Sequence, residues 1–537
     1  MKAANVAILM ASGAPWVLAD YVWPSQHDFL EDLLAMQTGY IRFGFTDLVV
    51  PCGFGSNTPG KQTSAEWIRT AFHDFATHDA AAGTGGLDAS IMYEVSRAEN
   101  EGAAFNNTLS EMHGFVTPRS SAADLIALAL VASVASCGGR PVPLRAGRVD
   151  AAAAGPSGVP KPDDGLDSTV AAFARAGFDV PDMIALTACG HTVGGVHSVD
   201  FPAIAPGEPS DENVAHFDGT TEAFDTDVVE DYFSANGSNP LAFGANATTN
   251  SDARVFAADG TNATMAALRD PETFQKTCAD LFERMIDTVP AGVTLSEPIQ
   301  LIDVKPYINR FEPVAAANGS ALAFEGRIRV RATGKDAQSV SVALDVRDRA
   351  GKTTRVQAPR AVLRGGLSYG FFGEEFAWFE FATELDVAPG VEGFDVVMTA
   401  ENGTVEVFDN AGTGGYPIED GLLYVQGESC LDTTVKDGNM TVTVRAGVRE
   451  DLDQVGEVPV VKLAHNVQQQ GVMLPRLAVE ATPMVKEATA TKGGYVFYEV
   501  SIPIESAGWN TVFDIVLPTG DGDIVSDFHR TTALSSC

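Results

Sequence analysis

The spacing of apolar positions changes near residue 290. Before it, apolar residues recur at helical intervals. Thr63, followed three residues on by Glu66, forms a capping box and predicts a helix from about Ser64 through Ala76. Ser120 to Ala135 reads as a strongly apolar helix, with Asp124 near its start and Gly138-Gly139 beyond its end. Ser168 to Ala176 predicts another, stopped at Gly177. Asp179 can cap a further helix, with Pro181 in its first turn and Ile184, Ala188 and His191 along one face. Asp270-Pro271 opens a last one, which runs to about Thr288 and closes at Pro290. Beyond this point the period becomes two, as in Gly326–Arg331 and Ser339–Leu344, which predicts strands.

The β half reads as duplicated. Trp378-Phe379-Glu380-Phe381 and Phe394-Asp395-Val396-Val397 recur as Phe497-Tyr498-Glu499-Val500 and Phe513-Asp514-Ile515-Val516, both at an offset of 119 residues. Ile328-Arg329-Val330-Arg331 recurs as Val442-Thr443-Val444-Arg445 at an offset of 114, which implies a small gap. The expected fold is a mainly-α domain over residues 20–292, followed by two tandem β-sandwich units at 293–416 and 417–537.

Charge and cysteine usage narrow the setting. The net charge is −36, which repels phosphate and excludes nucleic acid as a partner. Met1 to Ala19 reads as a signal peptide, with Lys2 ahead of an apolar run and a cleavage site at Val17-Leu18-Ala19. No later stretch has the ~20 apolar residues of a membrane span. Seven Asn-x-Ser/Thr sequons, at Asn106, Asn236, Asn246, Asn262, Asn318, Asn402 and Asn439, fit a secreted, extracellular glycoprotein. Six cysteines allow three disulfides. Cys430 and Cys537 are candidates to pair, and Cys189 reads equally as a buried thiol or a disulfide partner.

Two stretches carry the candidate chemistry. Arg69 and His73 are four apart, so one helix face presents a proton-moving imidazole beside a charge-stabilising guanidinium. Cys189-Gly190-His191-Thr192 follows, His191 lying 118 residues after His73. Together Arg69-x-x-Phe72-His73 and Gly190-His191-Thr192 resemble the distal and proximal motifs of the plant, fungal and bacterial haem peroxidase superfamily, in its secreted fungal form. The resemblance covers residues 30–290 and implies haem b on His191. Hydrogen peroxide would be reduced with His73 as acid and base and Arg69 as charge stabiliser. A ferryl haem would then oxidise phenols or other small aromatic one-electron donors.

The resemblance also assigns further residues. Phe72 lies beside the distal histidine and Phe217 beside the proximal imidazole, which Asp252 of Ser251-Asp252 would hydrogen-bond. Arg148, in Gly147-Arg148-Val149-Asp150, would run along the haem edge near the propionates. Asn106 would support His73, with Asn107 as the neighbouring alternative. The family's helping glutamate lies six residues earlier, at Asn100 or Glu101 respectively. Two Ca²⁺ ions are implied: a distal one on Asp74, Gly86, Asp88 and Ser90, and a proximal one on Thr192, Asp218, Thr220, Asp225 and the Ala223 carbonyl. A manganese site is not expected, since Gln62, Glu66 and His197 stand where the family's manganese enzymes have three carboxylates. Leu186 stands where lignin-type enzymes carry an exposed tryptophan. The β units match no family, and a polysaccharide or wall component is their candidate ligand. The alternative reading is a non-catalytic extracellular or cell-wall binding protein that keeps the peroxidase scaffold.

Overall fold

The buried apolar faces of the first half assemble around one helix that is apolar on every side. The computed structural model describes residues 21–55, 58–234, 237–316, 319–334, 339–453, 457–488 and 491–537. The expected signal peptide and the sequons at Asn236 and Asn318 lie outside the described residues. The helical half runs α1 (Asp28–Ala35), β1 (Thr38–Gly39), α2 (Thr63–Phe75), α3 (Ala104–Met112), α4 (Ala122–Ser136), α5 (Leu166–Arg175) and α6 (Val180–Gly190). A hairpin, β2 (Gly195–His197) and β3 (Val214–His216), follows. Then come α7 (Asp227–Ser234), α8 (Pro240–Phe243), α9 (Ser251–Phe256), α10 (Ala263–Ala267) and α11 (Pro271–Ile286). The central helix is α4, whose Leu125, Ile126, Leu128 and Leu130 are fully buried, and α2 packs along it.

Side-chain caps set the starts of α4, α6, α8 and α11. At α6 the Asp179 carboxylate accepts from Asp182 N at 2.9 Å, and Asp182 reciprocates. At α11 Asp270 caps through Thr273 N at 2.9 Å, with Pro271 in the first turn. The capping box expected at α2 does not form. Gln62 takes the N-cap position, Thr63 is already helical, and Glu66 turns aside to accept from Asn107 Nδ2 at 2.8 Å. Disulfides Cys52–Cys137 and Cys189–Cys278 tie the approach to α2 to the end of α4, and α6 to α11. Cys189 is therefore a disulfide partner.

The second half is all antiparallel sheet apart from one parallel strand pair at its end. Its first part comprises β4 (Val304–Ala316), β5 (Gly319–Arg331), β6 (Val340–Arg347), β7 (Thr353–Ala358), β8 (Leu367–Tyr369), β9 (Glu375–Asp386), β10 (Gly393–Ala400), β11 (Val405–Phe408) and β12 (Tyr416–Pro417). The second comprises β13 (Leu422–Tyr424), β14 (Cys430–Lys436), β15 (Asn439–Arg449), β16 (Val460–Val467), β17 (Arg476–Pro483), β18 (Val485–Lys486), β19 (Tyr495–Glu505), β20 (Val512–Leu517), β21 (Ile524–Arg530) and β22 (Ser535–Ser536). One sheet orders β8-β9-β5-β4 and another β11-β10-β6-β7; the same path returns as β18-β19-β15-β14 and β17-β16-β20-β21. The duplication is thus one of topology as well as sequence.

The register corrects one equivalence. Ile328 pairs with Phe379, and Ala446 pairs with Tyr498. Ile328 therefore corresponds to Ala446 at an offset of 118, and not to Val442 at 114. The expected gap shrinks to a single residue, 118 against 119. A slip of four residues keeps every side chain on its own face, so alternation alone could not detect it. Cys430 bonds to Cys537 and closes the second unit.

Both β units pack on the helical half. β1 pairs with β8 and extends the first sheet. Glu31 and Asp32 of α1 meet Lys305 of β4 and Arg329 of β5 in a buried ionic cluster. Lys305 Nζ lies 3.0 Å from Glu31 and 2.8 Å from Asp32, and Arg329 reaches the same two carboxylates. From the second unit, Leu474 enters the helical core and Gln469 accepts from Tyr93 Oη at 3.1 Å.

Candidate functional site

The last turns of α2 aim Arg69 and His73 at one space. The buried imidazole directs Nδ1 at Asn100 Oδ1, 2.7 Å away. An amide oxygen is an acceptor only, so Nδ1 carries the hydrogen and Nε2 keeps its lone pair. Burial, with the Arg69 charge beside it, lowers the His73 pKa to about 3, so the ring is a neutral base. Asn100 is held in turn: its Nδ2 donates to the Glu94 carbonyl at 3.0 Å. Arg69 donates to the Glu101 carbonyl at 2.9 Å and lies over the Phe105 ring. Burial also lowers its pKa, to about 10, which leaves it a cation at neutral pH. Phe105 packs on His73 with centroids 4.7 Å apart, and Phe72 leans on Phe75 and Phe173.

The second imidazole is placed where α6 ends. His191 is the C-cap residue and stacks on Phe217, with centroids 4.3 Å apart and planes 13° apart. Its Nδ1 faces Asp252 Oδ2 at 2.8 Å, and the same oxygen accepts from Asn239 Nδ2 at 2.8 Å. Asp252 is buried, while the imidazole keeps 29% of its side-chain surface accessible. Here too Nδ1 is committed and Nε2 is presented outward, which suits a metal ligand made more basic by a carboxylate behind it.

Three expectations fare differently. Asn106 does not meet His73. It sits on the solvent side of α3, while the partner is Asn100, delivered by the short turn before α3. Asn107 is also elsewhere, bonded to Glu66. The signal was present in the sequence: Glu94 lies six residues before Asn100, the spacing the resemblance asks for. Arg148 is not at an open edge. It is fully buried and bonds Asp124 at 3.0 Å, Asp287 at 3.2 Å and the Ile286 carbonyl at 2.7 Å, so its donors hold α4 to the end of α11. Asn239 was missed altogether, because nothing local marks an asparagine as a buttress for a distant carboxylate.

The residues expected to hold two cations are placed as follows. Asp74 accepts from Ala89 N at 2.7 Å and Ile91 N at 2.9 Å, and Asp88 accepts from Ser90 N at 3.1 Å. Burial, with Asp88 nearby, pushes the Asp74 carboxyl well above its usual range, and Ser90 Oγ is buried without a hydrogen-bond partner. Gly86 has φ +110°, and a Cβ there would strike the Thr288 carbonyl, so only glycine fits this turn. On the other side, Thr192 Oγ1 donates to the Asp225 carbonyl at 2.8 Å, and Thr220 Oγ1 to the Asp225 carboxylate at 2.9 Å. Ala223 N closes this loop on the Thr220 carbonyl at 2.9 Å. Asp218 Oδ2 is buried without a partner, and burial raises that carboxyl to about 7. Among the described residues no three His, Cys, Asp or Glu side chains converge on one point. Each loop instead combines carboxylates with hydroxyls and turn carbonyls, a hard-oxygen donor set that fits Ca²⁺. The manganese-type positions build no cation site: Gln62 Nε2 donates to the Thr221 carbonyl at 2.8 Å, and Glu66 is held by Asn107 and Lys61.

A helical unit that presents Arg69 with His73 on one helix and a carboxylate-backed His191 at the end of another is of the peroxidase class, and this helical half belongs to the plant, fungal and bacterial peroxidase superfamily. The family model described as Peroxidase matches residues 56–270. A WSC domain-containing protein of Arthroderma benhamiae is 36% identical over 536 residues, which cover 99% of this chain and 70% of that relative. L-ascorbate peroxidase 5 of Arabidopsis thaliana is 38% identical over 24% of this chain and 47% of its own length. Manganese peroxidase 3 of Phlebia radiata is 34% identical over 34% of this chain and 51% of its own. The chain thus spans about half the length of these two peroxidase relatives, and the matches to them cover no more than 34% of the chain.

Proposed function

We propose that this protein is a secreted haem peroxidase that uses hydrogen peroxide to oxidise small one-electron donors. The observation that carries the reading is the matched pair of imidazoles, each with Nδ1 committed to an acceptor and Nε2 left for other work. His191 Nε2 would hold haem b, which supplies the redox-active iron and stores two oxidising equivalents from peroxide. The Asp252 carboxylate, steadied by Asn239, keeps His191 basic as a ligand.

His73 takes the proton from the inner oxygen of peroxide onto Nε2 and returns it to the outer oxygen, which leaves as water. Its low pKa keeps it ready for the first step, and Asn100 holds the tautomer. Arg69 balances the negative charge that develops as the O–O bond breaks. Calcium on Asp74, Asp88 and Ser90, and on Thr192, Asp218, Thr220 and Asp225, would neutralise the buried carboxylates of loops joined to His73 through Asp74 and to His191 through Thr192. Extracellular placement rests on the expected signal peptide, the sequons and the three disulfides.

The test is an absorption spectrum of the full chain purified from a haem-supplemented host, repeated with one equivalent of peroxide. A ferric Soret band that bleaches and shifts, then returns on adding a phenol, is the expected result. A folded protein with no Soret band would overturn the reading.

A further inference from the structure

Beside Arg69 stands a carboxylate that the proposed reaction does not use. The β2–β3 hairpin begins on the His191 side, since β3 leads directly into Phe217. Asp200, just beyond β2, approaches Arg69 of α2. Gly102 makes this approach possible. Its φ is +103°, and a Cβ there would lie 3.2 Å from Asp200 Oδ2 and 3.4 Å from Arg69 Nη1. The bare backbone at position 102 lets a carboxylate from the hairpin and the guanidinium of α2 border the same point.

The charges around that point are mostly negative. Asp200 Oδ2 stands closest to this point, and Glu101, the residue before Gly102, is exposed. The nearest lysine on α2's approach, Lys61, is already engaged by Glu111 and Glu66. The whole chain, at −36, adds a field of the same sign.

We propose that Asp200 is a specificity-determining residue for the reducing substrate, favouring neutral and cationic phenols or arylamines and turning away donors that carry a carboxylate. The inference rests on the peroxidase reading and narrows its substrate class. Each donor gives up one electron and one proton, from the phenol O–H or the arylamine N–H, and two donors reduce one hydrogen peroxide to two waters. The donor's side-chain charge does not enter that balance, so it acts only on binding and encounter. A unit charge beside Arg69 changes the preference between oppositely charged donors about fivefold at low ionic strength.

Three phenols of one shape test this: tyramine (cation), tyrosol (neutral) and 4-hydroxyphenylacetate (anion). With the haem-loaded full chain, kcat/KM is expected to fall in that order, mainly through KM. The ratio of tyramine to 4-hydroxyphenylacetate should drop about fivefold in Asp200→Asn, persist in Asp200→Glu, and shrink in 0.5 M salt. Equilibrium binding of the same compounds by calorimetry should follow the same order. A ratio that is equal in the wild type and Asp200→Asn overturns the assignment while the peroxidase reading stands. If tyrosol is not oxidised at all, the peroxidase reading fails, and the calorimetric order of the two charged phenols still decides the role of Asp200.

Discussion

At the scale of single residues, the site depends on which nitrogen of each histidine is occupied. Asn100→Ala removes the acceptor that holds His73 in its working tautomer. The expected outcome is a 10- to 100-fold slower reaction with peroxide, read by stopped-flow at the Soret band. Asn106→Gln, on the solvent side of α3, should stay within about twofold of wild type in the same assay, as surface changes usually do. Glu66 makes a pH prediction. Burial raises its carboxyl to about 7 against an ordinary value of 4.5, so the folded state binds more protons than the unfolded state between those values. Its contribution to stability is complete below the lower value and is lost as pH rises toward the upper one. Glu66→Gln should therefore flatten the stability profile between pH 5 and 7 by about 2 kcal/mol, discounted for the pairing with Lys61; urea titrations across that range would read it.

At the scale of elements, His191 is positioned by where α6 stops. Asp179 and Pro181 fix its start, and Cys189–Cys278 pins its last turn to α11, two residues before the histidine. A Cys189→Ala/Cys278→Ala double variant should lose about 2–4 kcal/mol of stability. It should also release haem at a lower temperature than wild type, as followed by a thermal melt at the Soret wavelength. The sheets show what periodicity can and cannot convey. Alternation marked β5 and β6, and the repeat at an offset of 119 marked β9 and β10 together with β19 and β20. Alternation could not distinguish registers four residues apart, and only the ladder of hydrogen bonds assigned Ile328 to Ala446.

At the scale of the whole molecule, the β half is anchored and not merely tethered. Glu31 and Asp32 lose their hydration on burial and regain partners only when Lys305 and Arg329 arrive from β4 and β5. Lys305→Met should cost about 3–5 kcal/mol, seen in calorimetry as a lower transition temperature for the unit that carries α1. The contact of Gln469 with Tyr93, three residues after Ser90, brings the second unit against the distal cation loop.

The sequence by itself determined what is local. Helix periodicity, the Asp179 and Asp270 caps, the Arg69–His73 spacing, the Gly86 turn and the alternating strands are all set within a few residues, so the peroxidase class and the β class could both be read from the chain. Tertiary structure decided whatever depends on a partner distant in sequence. Thr63 and Glu66 matched a capping box that the packed α2 does not use, because Glu66 had Asn107 and Lys61 to meet. Arg148 matched a motif yet closed on Asp124 and Asp287, because a buried guanidinium must satisfy its donors where carboxylates are nearest. Asn100 displaced Asn106 for the same kind of reason: the direction in which a side chain points is fixed by the turn that carries it, and that turn is placed by the core beneath it.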